Sequence, residues 1–542
     1  MTPRASLSAV LALALLLASA AALDFGPSEE IARERGPDVF NAVHDAMRQW
    51  GSSLHHNGMS FFLATVPEGV LFHHGNSREQ SPTDPDWLAY EIEHAENFAR
   101  GGRGPGGPGR PGPPGRGGSD DGDGRLQHVV VDGSRAHGPR PGSTEETRGW
   151  LHVYRTTQPL RFLYVDGMSG GKTSMGTLDS QDLLLRGDRS SRAERPGAKR
   201  APGGPMDEQQ RAVELCKLCE EWQLQGVVRM EAGFEIIKCN FSDGLRQIQA
   251  LRRPEEGGGG GGGPQGGGMR SFEFLRGLSE RYHDIGSTRT IIDYSSMVSA
   301  FFFPVNLTNP DGKRPDLPRL SSASDAELSA IKEYLGDAIA ERRDAPLRTI
   351  DWQDVTDIVV ARYADRIKYM AEMVDSADVM AREVGFLLDV YVDYPGDSTD
   401  VDVAGAIKRC TDFYLAAVSP VTDADRLIHA ALTAVTSEIC SALFRVRQLV
   451  DTSEDDGLAL AESVKTLQSL MDFLRWSRFK RCPPCAVDEV CVIPMWPMGT
   501  VEEYNAPRCS NGSESGEGEN YWGGFRGRPG GPRRGGPEPP DL

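Results

Sequence analysis

Apolar residues recur along this chain with two periods, and the change of period divides it. Between residues 24 and 249 the pattern is mixed. Val39, Phe40, Val43, Met47 and Trp50 fall on one stripe and predict a helix over 37–53. Segments 59–66 and 69–74 read as strands joined by Pro67-Glu68 as a hairpin turn. Segment 85–100 reads as helical over much of its length, and 150–156 and 160–166 as strands around Gln158-Pro159. A helix over 207–224 aligns Ala212, Leu215, Cys216, Cys219 and Trp222, and 226–241 reads as strand. From residue 272 onward the period is helical almost throughout. Ser324 with Glu327 makes a capping box before a helix to about 343. A long stripe over 354–392 breaks once near Ser376, 401–418 is another helix, Thr422 with Asp425 opens one to about 450, and 457–476 is the last. Short connections such as Ser419-Pro420 imply antiparallel neighbours.

Composition marks the joints. Segments 101–124, 186–205, 255–268 and 510–542 are rich in Gly, Pro and charge, too poor in apolar surface to offset the entropy of ordering, and are expected to be disordered. The expected organisation is an α+β domain over 24–249 with inserts at 101–124 and 186–205, and a Gly-rich linker at 255–268. An all-α helical domain over 272–478, a disulfide-rich cap at 479–509 and a tail at 510–542 follow. Residues 1–22 read as a secretory signal: Arg4, a short apolar core over 10–17, then Ala18-Ser19-Ala20 or Ala20-Ala21-Ala22 for cleavage. No later run reaches membrane-spanning length, and the C-terminus has no apolar tail, so no membrane anchor is expected. Sequons at Asn240, Asn306 and Asn511 fit a secreted, extracellular glycoprotein. So do nine cysteines, whose odd number leaves one free or intermolecular. The Cys216/Cys219 and Cys482/Cys485 pairs lack a second pair at zinc-site spacing; disulfides are expected and no metal. The net charge of -19 argues against a nucleic-acid partner.

The candidate chemistry lies in four segments: Phe72-His73-His74-Gly75-Asn76; Trp87-Leu88-Ala89 with Ala95 and Phe98 downstream; Tyr154 to Leu163 with Pro159-Leu160; and Phe234-Glu235-Ile236-Ile237-Lys238-Cys239. In that order they resemble the ADP-ribosyltransferase-like superfamily, in pieces over 59–241. The resemblance implies an α+β fold with a split β-sheet, NAD as substrate, and NAD glycohydrolysis or ADP-ribosyl transfer to a protein acceptor. His74 would hydrogen-bond the ribose hydroxyls and Trp87 would stack on nicotinamide. Glu235 would be the carboxylate that stabilises an oxocarbenium-like sugar. Gly75 would let the backbone approach the ligand, and Asn76 stands where the superfamily has Thr. Glu231 is a rival to Glu235, on the same face if 226–241 is one strand. In overall texture the chain resembles secreted proteins of filamentous fungi.

Other readings compete. Asp166-Gly167-Met168-Ser169-Gly170-Gly171-Lys172-Thr173 has an Asp where a phosphate loop needs its first Gly, and reads better as a Gly-rich loop beside the same cleft. Tyr282-His283-Asp284 with Asp293 offers acid and base groups without diagnostic spacing, and His429 falls on an apolar helix face as a core residue. The alternative function is a non-catalytic secreted or cell-surface interaction protein whose helical half carries the binding surface. A third, a carbohydrate-active enzyme, requires paired carboxylates across an aromatic-lined groove.

Overall fold

The computed structural model describes residues 25–99, 149–188, 208–253, 274–278, 289–345, 350–394, 402–512 and 519–522. The predicted signal, the insert at 101–124 and most of that at 186–205, the linker, Tyr282-His283-Asp284 and most of the tail lie outside these residues.

Aromatic and β-branched runs form the strands. The first, Ser-Phe-Phe-Leu-Ala-Thr-Val, is buried along its whole length as β1 (Ser60–Val66). It shares one sheet with β2 (Leu71–Asn76), β3 (Asp86–Ala89), β4 (Trp150–Thr156), β5 (Leu160–Val165), β6 (Gly226–Met230), β7 (Phe234–Lys238), β8 (Leu245–Arg252) and β9 (Ile291–Ser299). The order is β8-β4-β2-β3-β7-β6-β5-β1-β9, and among the described strands only β5 and β6 run parallel.

β1 and β2 do not form the expected hairpin. β1 lies against β5 and β2 against β4, and both ladders keep one register: Val66 faces Leu160 and Leu71 faces Arg155. Residues 60–76 and 150–165 are therefore a single antiparallel ribbon folded at a corner. Thr156 pins the corner. Its N–H donates to the Val70 carbonyl (3.0 Å), its hydroxyl donates to the Pro67 carbonyl (2.7 Å), and its carbonyl accepts from Gly69 N–H (3.0 Å). Gly69 supplies the positive φ, 91°, that the bend needs. The corner leaves four strands between β1 and β2 and curls the sheet. In place of a split sheet, the nine strands form one continuous curled sheet.

Four other segments differ from expectation. Residues 37–53 are two helices, Gly36–His44 and Gln49–Leu54, parted by a turn in which Met47 has a φ of 55°. Residues 226–241 are two strands, because Glu231-Ala232-Gly233 makes a turn in which Glu231 N–H donates to the Gly233 carbonyl (3.0 Å). Residues 85–100 begin as β3 and only then become a short helix, Ile92–Glu96. The helical reading from 272 onward fails at β9, whose Ile-Ile-Asp-Tyr-Ser-Ser-Met-Val-Ser run pairs with β1. Sheet and helical half thus share a strand. They also share one core, which runs from Phe40 and Phe61 through Trp352 to Leu443.

Elsewhere in the C-terminal half the helices follow the sequence. Asp325–Glu341 and Asp423–Thr452 begin at capping boxes on Ser324 and Thr422, and Ser376 caps Ala377–Leu388 after the break that follows Trp352–Glu372. Val403–Asp412 and Asp456–Leu474 complete the set. Asp423–Thr452 is central, packed against Ala377–Leu388, Val403–Asp412 and Asp456–Leu474 and against the N-terminal helices Glu29–Glu34 and Gly36–His44. It is long and apolar enough to cross a membrane, contrary to expectation, but 67% of its most apolar window is buried by protein. Its Asp425 accepts from Trp352 Nε1 (2.9 Å) and from Ser295 Oγ of β9 (2.8 Å), tying bundle to sheet.

Eight cysteines pair as Cys216–Cys239, Cys410–Cys440, Cys482–Cys491 and Cys485–Cys509. Neither Cys-x-x-Cys pair is bonded within itself. Cys219 is the free, buried thiol. Two of the bonds close the C-terminal cap on the small sheet of β10 (Val490–Val492) and β11 (Arg508–Ser510).

Candidate functional site

Glu235 lies directly opposite Arg229 on the β6–β7 ladder and opposite Ala89 on β3, which in turn faces His73 on β2. This row crosses the curled sheet beneath the helix Ile92–Glu96. The helix sits close because β2 offers Gly75: a Cβ there would lie 2.6 Å from Ala99 N and would also strike the Ala95 carbonyl. Gly75 therefore admits a helix, where the resemblance implied a ligand. Between helix and sheet is a cavity of about 30 Å³ lined by His74, Gly75, Trp87, His94, Lys172, Glu208, Glu231 and Glu235, among others. Such a volume holds a water or an ion and is far too small for a ribose.

The sequence-predicted residues His74, Trp87 and Glu235 thus meet in one cavity, each partly engaged by the protein. His74 Nδ1–H donates to the Trp87 carbonyl (2.7 Å), while its Nε2, 3.7 Å from Asp86 Oδ2, has no hydrogen-bond partner among the described residues. Trp87 is 8% exposed and forms a wall. Glu235 Oε1 accepts from Arg229 Nε (2.8 Å). Asn76 is outside the lining: its Oδ1 accepts from Arg78 N–H (2.9 Å) and lies 3.0 Å from His152 Nε2, so it shapes the turn after β2.

A buried charge network surrounds the cavity. The Gly-rich loop after β5 brings in Lys172, whose Nζ bonds Glu231 Oε2 and lies 3.9 Å from Glu208 Oε2. Arg229 also bonds Glu208, on the helix Glu208–Glu221, and Gln181 Oε1 at 3.1 Å. Arg211 bridges Glu208 to Asp182, both of whose oxygens accept at 2.8 Å. Burial pushes the Glu208 carboxyl up, but Arg229, Lys172 and Arg211 outweigh it and hold the group well below the usual carboxylate range. At Glu231 burial wins over Lys172, Glu235 adds repulsion, and the carboxyl is pushed up to about 7. Burial likewise lowers the His94 imidazole, against the pull of Glu235. His94 is 2% exposed, and its Nδ1 has no hydrogen-bond partner among the described residues.

Sequence reasoning placed Lys172 beside the cleft and missed His94, Glu208 and Arg229. A signal existed for Arg229: it is a charge set, like Glu235, in the otherwise apolar strands of 226–237. For His94 and Glu208 no local pattern marks the role. A more open groove of about 370 Å³ lies elsewhere, between Arg35, Asp38, Thr308 and Arg475, without a comparable buried charge cluster.

A family model described as the YPL277C N-terminal domain matches residues 28–255, the segment that supplies every charged residue of the cavity. Over 545 aligned residues the chain is 27% identical to the Saccharomyces cerevisiae "Uncharacterized protein YOR389W", covering 86% of this chain and 82% of that one. It is 26% identical over 389 residues to "Uncharacterized protein YPL277C" of the same yeast, covering 62% of this chain and 75% of that one. No solved structure matches. The chain is thus similar to two fungal proteins, and its cavity falls within the matched N-terminal domain.

Proposed function

We propose that the protein is a secreted hydrolase that activates a nucleophilic water at the cavity lined by His94, Glu231 and Glu235. One observation carries this reading: two carboxylates and an imidazole whose Nδ1 has no hydrogen-bond partner among the described residues, all buried, border a space of water size. Ionised groups buried this deeply cost several kcal/mol each unless paired, and such clusters concentrate at catalytic centres. A glutamate within reach of the water accepts its proton, and Lys172 and Arg229 hold the carboxylates in place through their ion pairs. The substrate approaches from the side of Asp86, whose side chain is 23% exposed.

The N-glycosidic bond of NAD, suggested by the superfamily resemblance, is the first substrate to test. Its ribose does not fit inside the cavity, so no step is assigned to it there. Four disulfides and the exposed sequon residues Asn240 and Asn306 support secretion. The non-catalytic alternative is favoured by Phe386, Tyr394 and Phe413, which stay 63%, 59% and 57% exposed on the helical half.

The test is nicotinamide release from NAD, run beside nitrophenyl glycosides, esters and phosphates, with wild type and Glu235→Gln. We expect turnover of one class by wild type and a loss of about 100-fold or more in the variant. Folded wild type that cleaves none of them removes the hydrolase reading and leaves the interaction protein.

A further inference from the structure

We propose that His94, Glu231 and Glu235 form a site for one divalent transition-metal ion, an inference that rests on the cavity being the functional centre. The three residues present one nitrogen and two carboxylate oxygens that all lie within 4.8 Å of one another, every one from a buried side chain. Ligands of an ion with bonds of about 2.1 Å stand roughly 3–4 Å apart, so the side chains need to close in by only about 1 Å. The cavity of about 30 Å³ has room for an ion.

Two further features point to a cation. First, His94 lines the cavity, is 2% exposed and has an Nδ1 without a partner among the described residues. A buried polar atom left so costs about 1–3 kcal/mol, which a metal ion would relieve. Its imidazole lies against Gly233, where a Cβ would come within 2.9 Å of Nδ1, and Gly233 is in the turn that carries the two glutamates. Second, each glutamate commits one oxygen to an ion pair, Oε1 of Glu235 to Arg229 and Oε2 of Glu231 to Lys172, and each keeps its other oxygen. A nitrogen with two carboxylates suits Zn²⁺, Co²⁺ or Mn²⁺ better than soft ions, which prefer sulfur. The sequence alone predicts no metal, because its patterned ligand pairs are the cysteines Cys216/Cys219 and Cys482/Cys485.

The experiment uses tag-free, full-length, disulfide-intact protein stripped with chelator and titrated with Co²⁺, whose visible absorption reports coordination. We expect one Co²⁺ per chain, displaced by Zn²⁺. Binding should weaken about tenfold or more in His94→Gln and in Glu235→Gln. It should tighten in Lys172→Met, which removes a competing cation, an outcome that a purely structural lysine would not give. Wild type without a stoichiometric Co²⁺ spectrum overturns the proposal, as does His94→Gln that stays folded by circular dichroism and binds as wild type does. Should His94→Gln not fold, the wild-type and Lys172→Met titrations decide alone. Binding is read without turnover, so wild type that binds Co²⁺ but cleaves nothing overturns the hydrolase reading only. Turnover that survives chelation, with no Co²⁺ spectrum, overturns the metal site only.

Discussion

His56 shows how a single buried side chain sets a property of this fold. Its Nδ1–H donates to Asn57 Oδ1 (2.9 Å), and its Nε2 accepts from the Tyr521 hydroxyl (2.7 Å), so the ring is held neutral. Burial lowers its pKa to about 3, although the Asn57 bond opposes the shift. The unfolded chain takes up a proton below about 6.5 and the folded chain does not, so stability from this group falls as pH drops from about 6.5 towards 3. Relative to His56→Gln, wild type is expected to lose about 2 kcal/mol between pH 7.5 and pH 5 in urea unfolding. A pH-independent difference between the two would show that His56 titrates alike in both states. Glu235 lies between Phe234 and Ile236, and the ladder sets Arg229 directly opposite, so its ion pair depends on the partner strand as much as on its own segment.

At the scale of elements, the helix Ile92–Glu96 is five residues long and has no side-chain cap, so its own sequence does little to stabilise it. Its place comes from packing on β2 at Gly75. Gly75→Ala must drive the helix away from the strand. We expect a loss of about 1–3 kcal/mol in urea unfolding, and weaker Co²⁺ binding because His94 rides on that helix. A Gly75→Ala protein as stable as wild type would mean the contact is loose. The corner at Thr156 acts on a larger element, the ribbon of 60–76 with 150–165. By bending it without changing register, the chain carries β2 away from β1 and sets it beside β3. The row from His73 to Arg229 follows from that bend.

At the scale of the molecule, the linker at 255–268 does not separate two folding units. β9 comes after it and pairs with β1, while the helices at the start of the chain pack on Asp423–Thr452 near its end. A fragment ending at residue 253 would expose β1 as an unpaired edge and bare Val39, Phe40 and Val43. We expect residues 25–253 alone to lack a cooperative thermal transition by circular dichroism. A monodisperse fragment with a cooperative melt would show instead that the sheet domain is autonomous.

What the sequence determined by itself is what local chemistry decides. Ser324 with Glu327, Thr422 with Asp425, and Ser376 start helices where they were expected, because a cap needs only residues within one turn. The segments holding His74, Trp87 and Glu235 could also be found locally, and they do meet in one cavity. Strand β8, Leu-Arg-Gln-Ile-Gln-Ala-Leu-Arg, was missed because its edge position leaves it half solvated and without clean alternation. Only the tertiary structure decided the rest. His94, Lys172 and Glu208 come from a short helix, a loop and a long helix with no shared motif, and the folded ribbon and ladder registers bring them together. Periodicity reports which face of an element is buried. It carries no information about which charge from a distant segment will lie opposite, and the chemistry of this cavity depends on those pairings.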